Sequence, residues 1–217
     1  METQSFYYAR GLRTRDAFPP PYGGLLVQSF LSVEERARLA ERADTLPRLS
    51  LSASELLDLE LISSGAFSPL TGFMTQPVYA SVLANSVLPD GRPWGLPVTL
   101  AVSREAALSI RSGHEAALYR GDEWVGVMLV EEIFAWDAAQ EAQALAGAQD
   151  AACVSERRAR RASYLVGGPV ALLATRATGV MLSGHRWPQE QRVQFGQRGW
   201  QRVAAAHMRL PWLRAHE

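Results

Sequence analysis

The sequence of 217 residues contains no lysine, so all 22 of its basic residues are arginine. This absence excludes a phosphate-binding loop that ends in Gly-Lys-Ser/Thr, and it excludes catalysis through a Schiff-base lysine. Cys153 is the single cysteine, so the chain can form neither an internal disulfide nor a four-cysteine zinc site. We therefore predict no metal site, and this cysteine usage fits a reducing cytosol.

Long apolar runs are also missing from the sequence. The longest purely apolar stretches, such as VALLA at 170–174, are far shorter than the ~20 residues that cross a bilayer. The opening METQSFYYARGLRTRD lacks the apolar core of a secretion signal. Acidic residues also number 22, so the formal charge cancels and no global field attracts nucleic acid or an anionic membrane. We expect a soluble, cytoplasmic protein with no membrane partner.

The residues that are present indicate a globular domain, since hydrophobic residues make up 47% of the chain and charged residues 20%. Residues 1–18 show no periodicity and predict a flexible N-terminal arm, which the prolines and glycines of FPPPYGG then separate from the body.

Two helix starts follow the arm. Ser32 with Glu35, and Ser52 with Glu55, each have the spacing of a capping box, in which the two residues satisfy each other's free backbone amides. Gly65 is the expected end of the second helix, whose many leucines predict burial on several sides.

Short strand-like runs separated by turn residues fill the middle of the chain, and the turn Arg120-Gly121-Asp122 predicts a hairpin. The run YLVGGPVALLAT at 164–175 indicates either a pair of strands or one bent strand, and DAAQEAQALAG at 137–147 indicates a helix. Together these patterns predict an α+β fold, a small β-barrel with flanking helices. The other strand-like runs are VTLAV at 98–102, EAALY at 115–119 and EWVGVMLVEEIF at 123–134.

The last segment has a different pattern. Pro188 suits a first helical position and Gly199 a helix end, and the apolar run QRVAAAHM at 201–208 predicts a strand after that helix. A helix followed by a buried strand is how an α/β layer begins. Since a single apolar strand has unpaired edges, we expect this one to be poorly ordered, to pack on the barrel, or to pair with another copy.

Five motifs in a fixed order resemble the N-terminal part of ATP sulfurylase, sulfate adenylyltransferase. The most specific is DLELISSGAFSPLTGFM at 58–74, which lies within the longer match at 46–74. The other four are PYGGLLV at 21–27, DGRPWGLPVTLAVS at 90–103, VEEIFAWD at 130–137 and YLVGGPVALL at 164–173.

This resemblance implies a PUA-like pseudo-β-barrel over 19–176, followed at 177–217 by a short helix-strand stub of an α/β nucleotidyltransferase domain. In that family the second domain converts MgATP and sulfate into adenylyl sulfate and pyrophosphate. We expect this chain to hold only the beginning of that domain, and so to need no cofactor by itself.

The family's first catalytic signature has the form Gln-Thr-Arg-Asn-Pro-x-His-x-x-His, where Gln and Arg hold sulfate and Asn and the two His stabilise phosphates. The resemblance places this signature on 207–216, where Arg209, Pro211 and His216 are retained. The other signature positions carry His207, Met208, Leu210 and Leu213. Losing one preorganised hydrogen-bond donor of this kind lowers the rate by about 10²–10³-fold. Because these positions lack the family's residues, we expect no intact catalytic set.

An arginine cluster at 157–161, RRARR, gives an alternative, because PUA-like domains in other families bind RNA and arginine suits phosphate. Its arginines are Arg157, Arg158, Arg160 and Arg161. Tyr164 is the only aromatic beside them, so a solvated surface is favoured over a nucleic-acid site.

Three functions remain open at this point. The favoured one is a stand-alone accessory, regulatory or vestigial domain of sulfate activation, not catalytic by itself. The second is part of a sulfate adenylyltransferase that a separate catalytic chain completes, and the third is an RNA-binding module. The expected partner is a catalytic domain, or another copy through the C-terminal strand.

Overall fold

The computed structural model describes residues 10–12, 20–145, 162–173, 187–200 and 202–204. The strands are β1 Arg10–Leu12, β2 Leu26–Gln28, β3 Phe30–Leu31, β4 Arg48–Ser50, β5 Gly72–Phe73, β6 Leu100–Val102, β7 Glu115–Arg120, β8 Glu123–Leu129, β9 Glu132–Ala135 and β10 Tyr164–Leu173. The helices are α1 Val33–Ala43, α2 Ala53–Ser64, α3 Gln76–Asn85, α4 Arg104–Ser109, α5 Ala138–Ala144 and α6 Pro188–Gln197. The fold is therefore mixed, with helices around a sheet.

Both predicted capping boxes are confirmed. At the start of α1, the Ser32 amide donates to the Glu35 carboxylate at 2.7 Å, and the Glu35 amide donates to the Ser32 hydroxyl at 3.2 Å. At the start of α2, Ser52 and Glu55 form the same pair of contacts. Each box satisfies two backbone groups that a helix leaves free at its N-terminus.

Helix α2 lies in the body of the domain, as its leucines predicted. Its Leu56, Leu59 and Ile62 are completely or almost completely buried, while Leu57 remains partly exposed. The helix ends at Gly65, whose φ of +87° is the left-handed conformation that favours glycine. A β-carbon there would lie 2.8 Å from the carbonyl oxygen of Val27, so glycine also allows β2 to approach.

Strand β10 organises the sheet, because it pairs along its length with several other strands. Its first half pairs antiparallel with β6 and β9, and its second half pairs antiparallel with β8 and parallel with β3. The run that predicted either two strands or a bent one is therefore a single strand.

The change of partners along β10 occurs at its two glycines. A β-carbon on Gly168 would lie 2.1 Å from the Leu129 carbonyl oxygen, and one on Gly167 would lie 2.5 Å from Thr75 Cα. Gly168 also has a φ of +146°. Only glycine allows the neighbouring backbones to come this close.

The main sheet has the order β3-β10-β8-β7-β4, and β5, β6 and β9 also pair with β10. The predicted hairpin is confirmed, since β7 and β8 pair antiparallel up to Arg120 opposite Glu123, around a turn whose Gly121 has a φ of +58°. Strand β4 runs parallel to β7 at the other side of the hairpin.

Apolar side chains are buried on both faces of this sheet. On β8, Met128 belongs to the larger core with α2, whereas Val127 belongs to a smaller cluster with Leu39 of α1. Strand β10 repeats this alternation, because Val170 and Leu172 face the larger core and Ala171 and Leu173 the smaller one. Successive side chains of a strand point to opposite faces, so the sheet separates two layers.

The structure differs from the sequence-based expectations in several places. Within the predicted arm, Arg10–Leu12 forms β1 and pairs antiparallel with β2. The run at 123–134 is two strands, β8 and β9, rather than one, and α3 and α4 were not expected. Of the strand predicted over 201–208, the described residues 202–204 are exposed and are not in a strand. Its other residues lie outside the described part of the chain.

Candidate functional site

The residues singled out from the sequence are not among those that the structure describes. The retained signature positions Arg209, Pro211 and His216 lie outside the described residues, and so does the arginine cluster of Arg157, Arg158, Arg160 and Arg161. Within the described ranges, no three His, Cys, Asp or Glu side chains lie close enough to hold a metal ion.

The candidate site is a groove between α6 and the loops at the ends of β2 and α2. We call it the α6 groove. It has a volume of about 310 Å³ and is lined by Pro21, Tyr22, Leu26, Gly65, Ala66, Ser68, Pro188, Gln191, Arg192, Phe195 and Val203. The lining is mostly apolar, with a few polar groups at defined places.

The polar groups on the domain side of the α6 groove have structural partners. Ser68 Oγ donates to the carbonyl oxygen of Gly65 at 2.7 Å and accepts from the amide of Val27 at 3.0 Å. Tyr22 Oη donates to the carbonyl oxygen of Pro93 at 2.8 Å. These bonds hold three loops together, so the Ser68 and Tyr22 hydroxyls serve as connectors of the groove wall.

On the helix side, the lining residues Pro188, Gln191, Arg192 and Phe195 follow the spacing of one face of a helix. Partial burial lowers the pKa of the Arg192 guanidinium, because an apolar surrounding disfavours the charged form. The guanidinium remains charged at neutral pH because an arginine pKa begins so high. The helix is held to the sheet by an edge-on contact of Trp187 with Phe30, whose ring centroids are 5.2 Å apart.

A second groove, of about 350 Å³, lies between α3 and α5. Beside it, the buried Glu141 carboxylate accepts hydrogen bonds from Tyr79 Oη at 2.8 Å and from the Trp136 indole at 3.0 Å. Burial, reinforced by the negative charge of Glu141, raises the pKa of Tyr79 well above its ordinary value. Tyr79 therefore stays protonated and donates to Glu141, which joins α3 to α5.

Sequence reasoning missed Tyr79, Glu141 and Arg192. Glu141 carried one usable signal, because a glutamate in the middle of the alanine-rich run AAQEAQA lies within five residues of Trp136. The sequence gives no such signal for Arg192, because no pattern around it shows that helix α6 lies against the loop at Tyr22.

Comparison with known proteins decides the family. A family model described as PUA-like domain matches residues 19–175. The chain belongs to the PUA-like domain family. The match runs from the proline-rich loop to the end of β10, so it covers the main sheet and the helices α1 to α5.

The relatives of this PUA-like domain protein carry the name expected from the motifs. The sulfate adenylyltransferase of Symbiobacterium thermophilum is 45% identical over 199 residues, covering 91% of this chain and 50% of that protein. The sulfate adenylyltransferase of Desulforamulus reducens is 35% identical, covering 93% of this chain and 53% of that protein. The resemblance to ATP sulfurylase is confirmed, and the chain spans about half the length of these relatives.

A solved structure agrees with the fold. The protein described as a hexameric APS kinase from Thiobacillus denitrificans is 29% identical, with a TM-score of 0.65, covering 86% of this chain and 33% of that one. A further relative from Sorangium cellulosum, named a probable bifunctional SAT/APS kinase, is 35% identical over 91% of this chain and 34% of its own length. Each is longer than the part that this chain matches.

Among the described residues, no helix combines the length and apolar character that crossing a membrane requires.

Proposed function

We propose that this PUA-like domain is a non-catalytic accessory unit of sulfate activation, which supports a nucleotidyltransferase domain rather than reacting with ATP or sulfate itself. The relatives named sulfate adenylyltransferase support the connection with sulfate activation. As part of the same proposal, the sheet is the pseudo-barrel of the ATP sulfurylase type, and 177–217 begins an α/β nucleotidyltransferase domain. We place its site of action in the cytoplasm.

The observation that carries the non-catalytic role is how the domain uses three of its buried glutamates. Glu35 and Glu55 cap α1 and α2, and Glu141 binds Tyr79 and Trp136. General acid-base chemistry needs a carboxylate or imidazole that can reach a substrate atom. Glu35 instead caps its own helix, and Glu55 and Glu141 each connect one element of the fold to another.

The proposal is tested by incubating the purified chain with MgATP and sulfate and measuring the release of pyrophosphate. We expect a rate equal to that of a blank without protein. Adenylyl sulfate formed by the purified chain, and lost in the Arg209→Ala variant, would overturn the proposal. The variant separates activity of this chain from that of a contaminating enzyme.

A second candidate is that the chain forms part of a sulfate adenylyltransferase completed by a separate catalytic chain. The match to about half of each sulfate adenylyltransferase favours it. The test is to add the unmatched half of the Symbiobacterium relative and measure adenylyl sulfate. Activity that requires both proteins supports this candidate, whereas activity of the added half alone assigns the chain a regulatory role at most.

A further inference from the structure

The loop between α3 and β6 contains the only Asp-Gly pair of the sequence, Asp90-Gly91. In such a pair the glycine amide nitrogen can attack the aspartate side-chain carboxyl, because glycine has no side chain to hinder the approach. Both residues are exposed, so water reaches the pair. The pair is therefore a candidate site of spontaneous covalent modification.

The fold itself requires a glycine after Asp90. The Gly91 amide donates to the Leu88 carbonyl oxygen at 2.8 Å, and the Leu88 amide donates to the Arg92 carbonyl oxygen at 2.8 Å. These two bonds close a tight turn with Pro89 at its second position. Gly91 has a φ of +84° in this turn, a left-handed conformation that other residues rarely adopt. The turn therefore fixes glycine at this position and, with it, the reactive pair.

Both carboxylate oxygens of Asp90 are held by Arg92. The Arg92 amide donates to Asp90 Oδ1 at 3.1 Å, and Arg92 Nη1 lies 3.1 Å from Asp90 Oδ2. The attacking group is engaged as well, since the Gly91 amide donates to Leu88. Attack requires the carboxyl to turn towards the Gly91 nitrogen and that nitrogen to lose its hydrogen, so these contacts oppose the reaction.

The turn is also held against a second loop, which limits its opening. Tyr22 Oη donates to the carbonyl oxygen of Pro93 at 2.8 Å. A β-carbon on Gly23 would lie 2.7 Å from Arg92 Nη1, so glycine at this position lets the guanidinium pack against the loop. Opening the turn far enough for attack therefore disturbs contacts between the two loops.

We propose that the turn at 88–92 protects Asp90 from isomerisation, and that Arg92 holds the Asp90 carboxylate in an unreactive position. In the reaction that the turn opposes, the Gly91 nitrogen bonds to Asp90 Cγ and closes a five-membered succinimide ring. The carboxyl loses its OH and the amide its hydrogen, and the two leave as one water molecule. Water then adds to either ring carbonyl. Opening of the ring at the main-chain carbonyl gives a β-linked aspartate, whose main chain is longer by one carbon.

Isomerisation at this turn would disturb the wall of the α6 groove. One more carbon in the main chain changes the spacing between Leu88 and Arg92, so the two hydrogen bonds that close the turn cannot both form. The Pro93 carbonyl, which accepts from Tyr22 at the α6 groove, would move with the turn. The protection therefore preserves a contact on which the groove depends.

The test measures β-linked aspartate at residue 90 while the purified full chain is incubated at neutral pH. Enzymatic methylation of β-linked aspartate and mass spectrometry of the digested protein detect it. A peptide of residues 86–96 gives the rate without the fold. We expect the folded chain to react at least about tenfold more slowly than the peptide, since only the opened fraction of the turn reacts. Arg92→Ala should raise the rate in the folded chain about two- to fivefold, which corresponds to the free energy of an exposed ion pair.

Two control variants accompany Arg92→Ala. Arg104→Ala removes an exposed arginine at the first position of α4 and should leave the rate unchanged. Asp90→Glu should abolish the signal, because the longer side chain closes the corresponding ring much more slowly. Thermal melting followed by circular dichroism checks that Arg92→Ala and Arg104→Ala remain folded.

Three results would overturn the proposal. They are equal rates in the folded chain and the peptide, a rate in Arg92→Ala equal to that of the wild type, and a signal that persists in Asp90→Glu. If Arg92→Ala does not fold, hydrogen exchange of the Gly91 amide in the wild type provides the decision. Exchange much slower than in the peptide supports the protection, whereas exchange as fast as in the peptide overturns it.

Discussion

Helices α2 and α6 begin in similar ways but lie in different environments. A glutamate three residues after the N-cap accepts the N-cap amide in both, Glu55 from Ser52 at 2.9 Å and Glu190 from Trp187 at 3.0 Å. Seven residues of α2 are buried, whereas none of α6 is. Capping therefore sets where a helix starts, and it does not show whether the helix belongs to a core.

The largest expected difference between the two helices is the cost of removing an apolar side chain. Leu59→Ala in α2 should destabilise the domain by about 3 kcal/mol, since it leaves a cavity at a position with no exposed surface. Val193→Ala in α6 should change stability by less than about 0.5 kcal/mol. Urea unfolding followed by circular dichroism measures both, and equal losses would show that α6 is part of the cooperative core.

A smaller difference in stability is expected between the variants that remove the capping glutamates of α2 and α6. The Glu55 carboxylate also accepts the Ala101 amide of β6 at 3.1 Å, so it joins α2 to the sheet. Glu55→Ala leaves buried donors without an acceptor and should cost about 2 kcal/mol. Glu190→Ala removes an exposed cap and should cost no more than about 1 kcal/mol. The same unfolding experiment compares the two variants. A smaller loss of stability for Glu55→Ala than for Glu190→Ala would contradict the role of Glu55 in joining α2 to the sheet.

The smallest effect that we expect is a pH dependence of the α3–α5 contact. The pKa of Tyr79 is raised in the folded state, so the stability it contributes is fully present below its unfolded pKa of about 10. That stability is lost as the pH rises above this value towards the folded pKa. Tyr79→Phe cannot ionise, so its stability relative to the wild type should increase between about pH 9 and pH 11. If the difference in stability between Tyr79→Phe and the wild type did not depend on pH, Tyr79 would ionise as easily in the folded protein as in the unfolded chain.

The helices of the body were predictable where local signals and burial agree. Ser32 with Glu35, Ser52 with Glu55 and Gly65 act on backbone groups a few residues away, so their roles can be read from spacing. Helices α3 and α4 were missed because the surrounding proline and glycine residues indicated only turns. The β-type pattern at 123–134 did not show where β8 ends and β9 begins, since that boundary depends on how each pairs with β10.

The candidate site was much less predictable than the fold. Resemblance to ATP sulfurylase directed attention to Arg209, Pro211 and His216, which the described part of the chain does not include. The α6 groove brings Tyr22, Ser68 and Arg192 together from three distant segments, and no spacing along the chain encodes that meeting. Glu141 and Tyr79 are 62 positions apart in the sequence, so their hydrogen bond could not be predicted from spacing either.

The sequence by itself determined the family, the starts of α1 and α2, the end of α2 and the β7–β8 hairpin, because short-range hydrogen bonds and backbone conformations decide those features. Only the tertiary structure decided that β10 pairs with five other strands and that Glu141 joins α3 to α5. It alone showed that no residue of α6 is buried by the described part of the chain. Burial and long-range pairing depend on which distant surfaces meet, and that is a property of the whole folded chain.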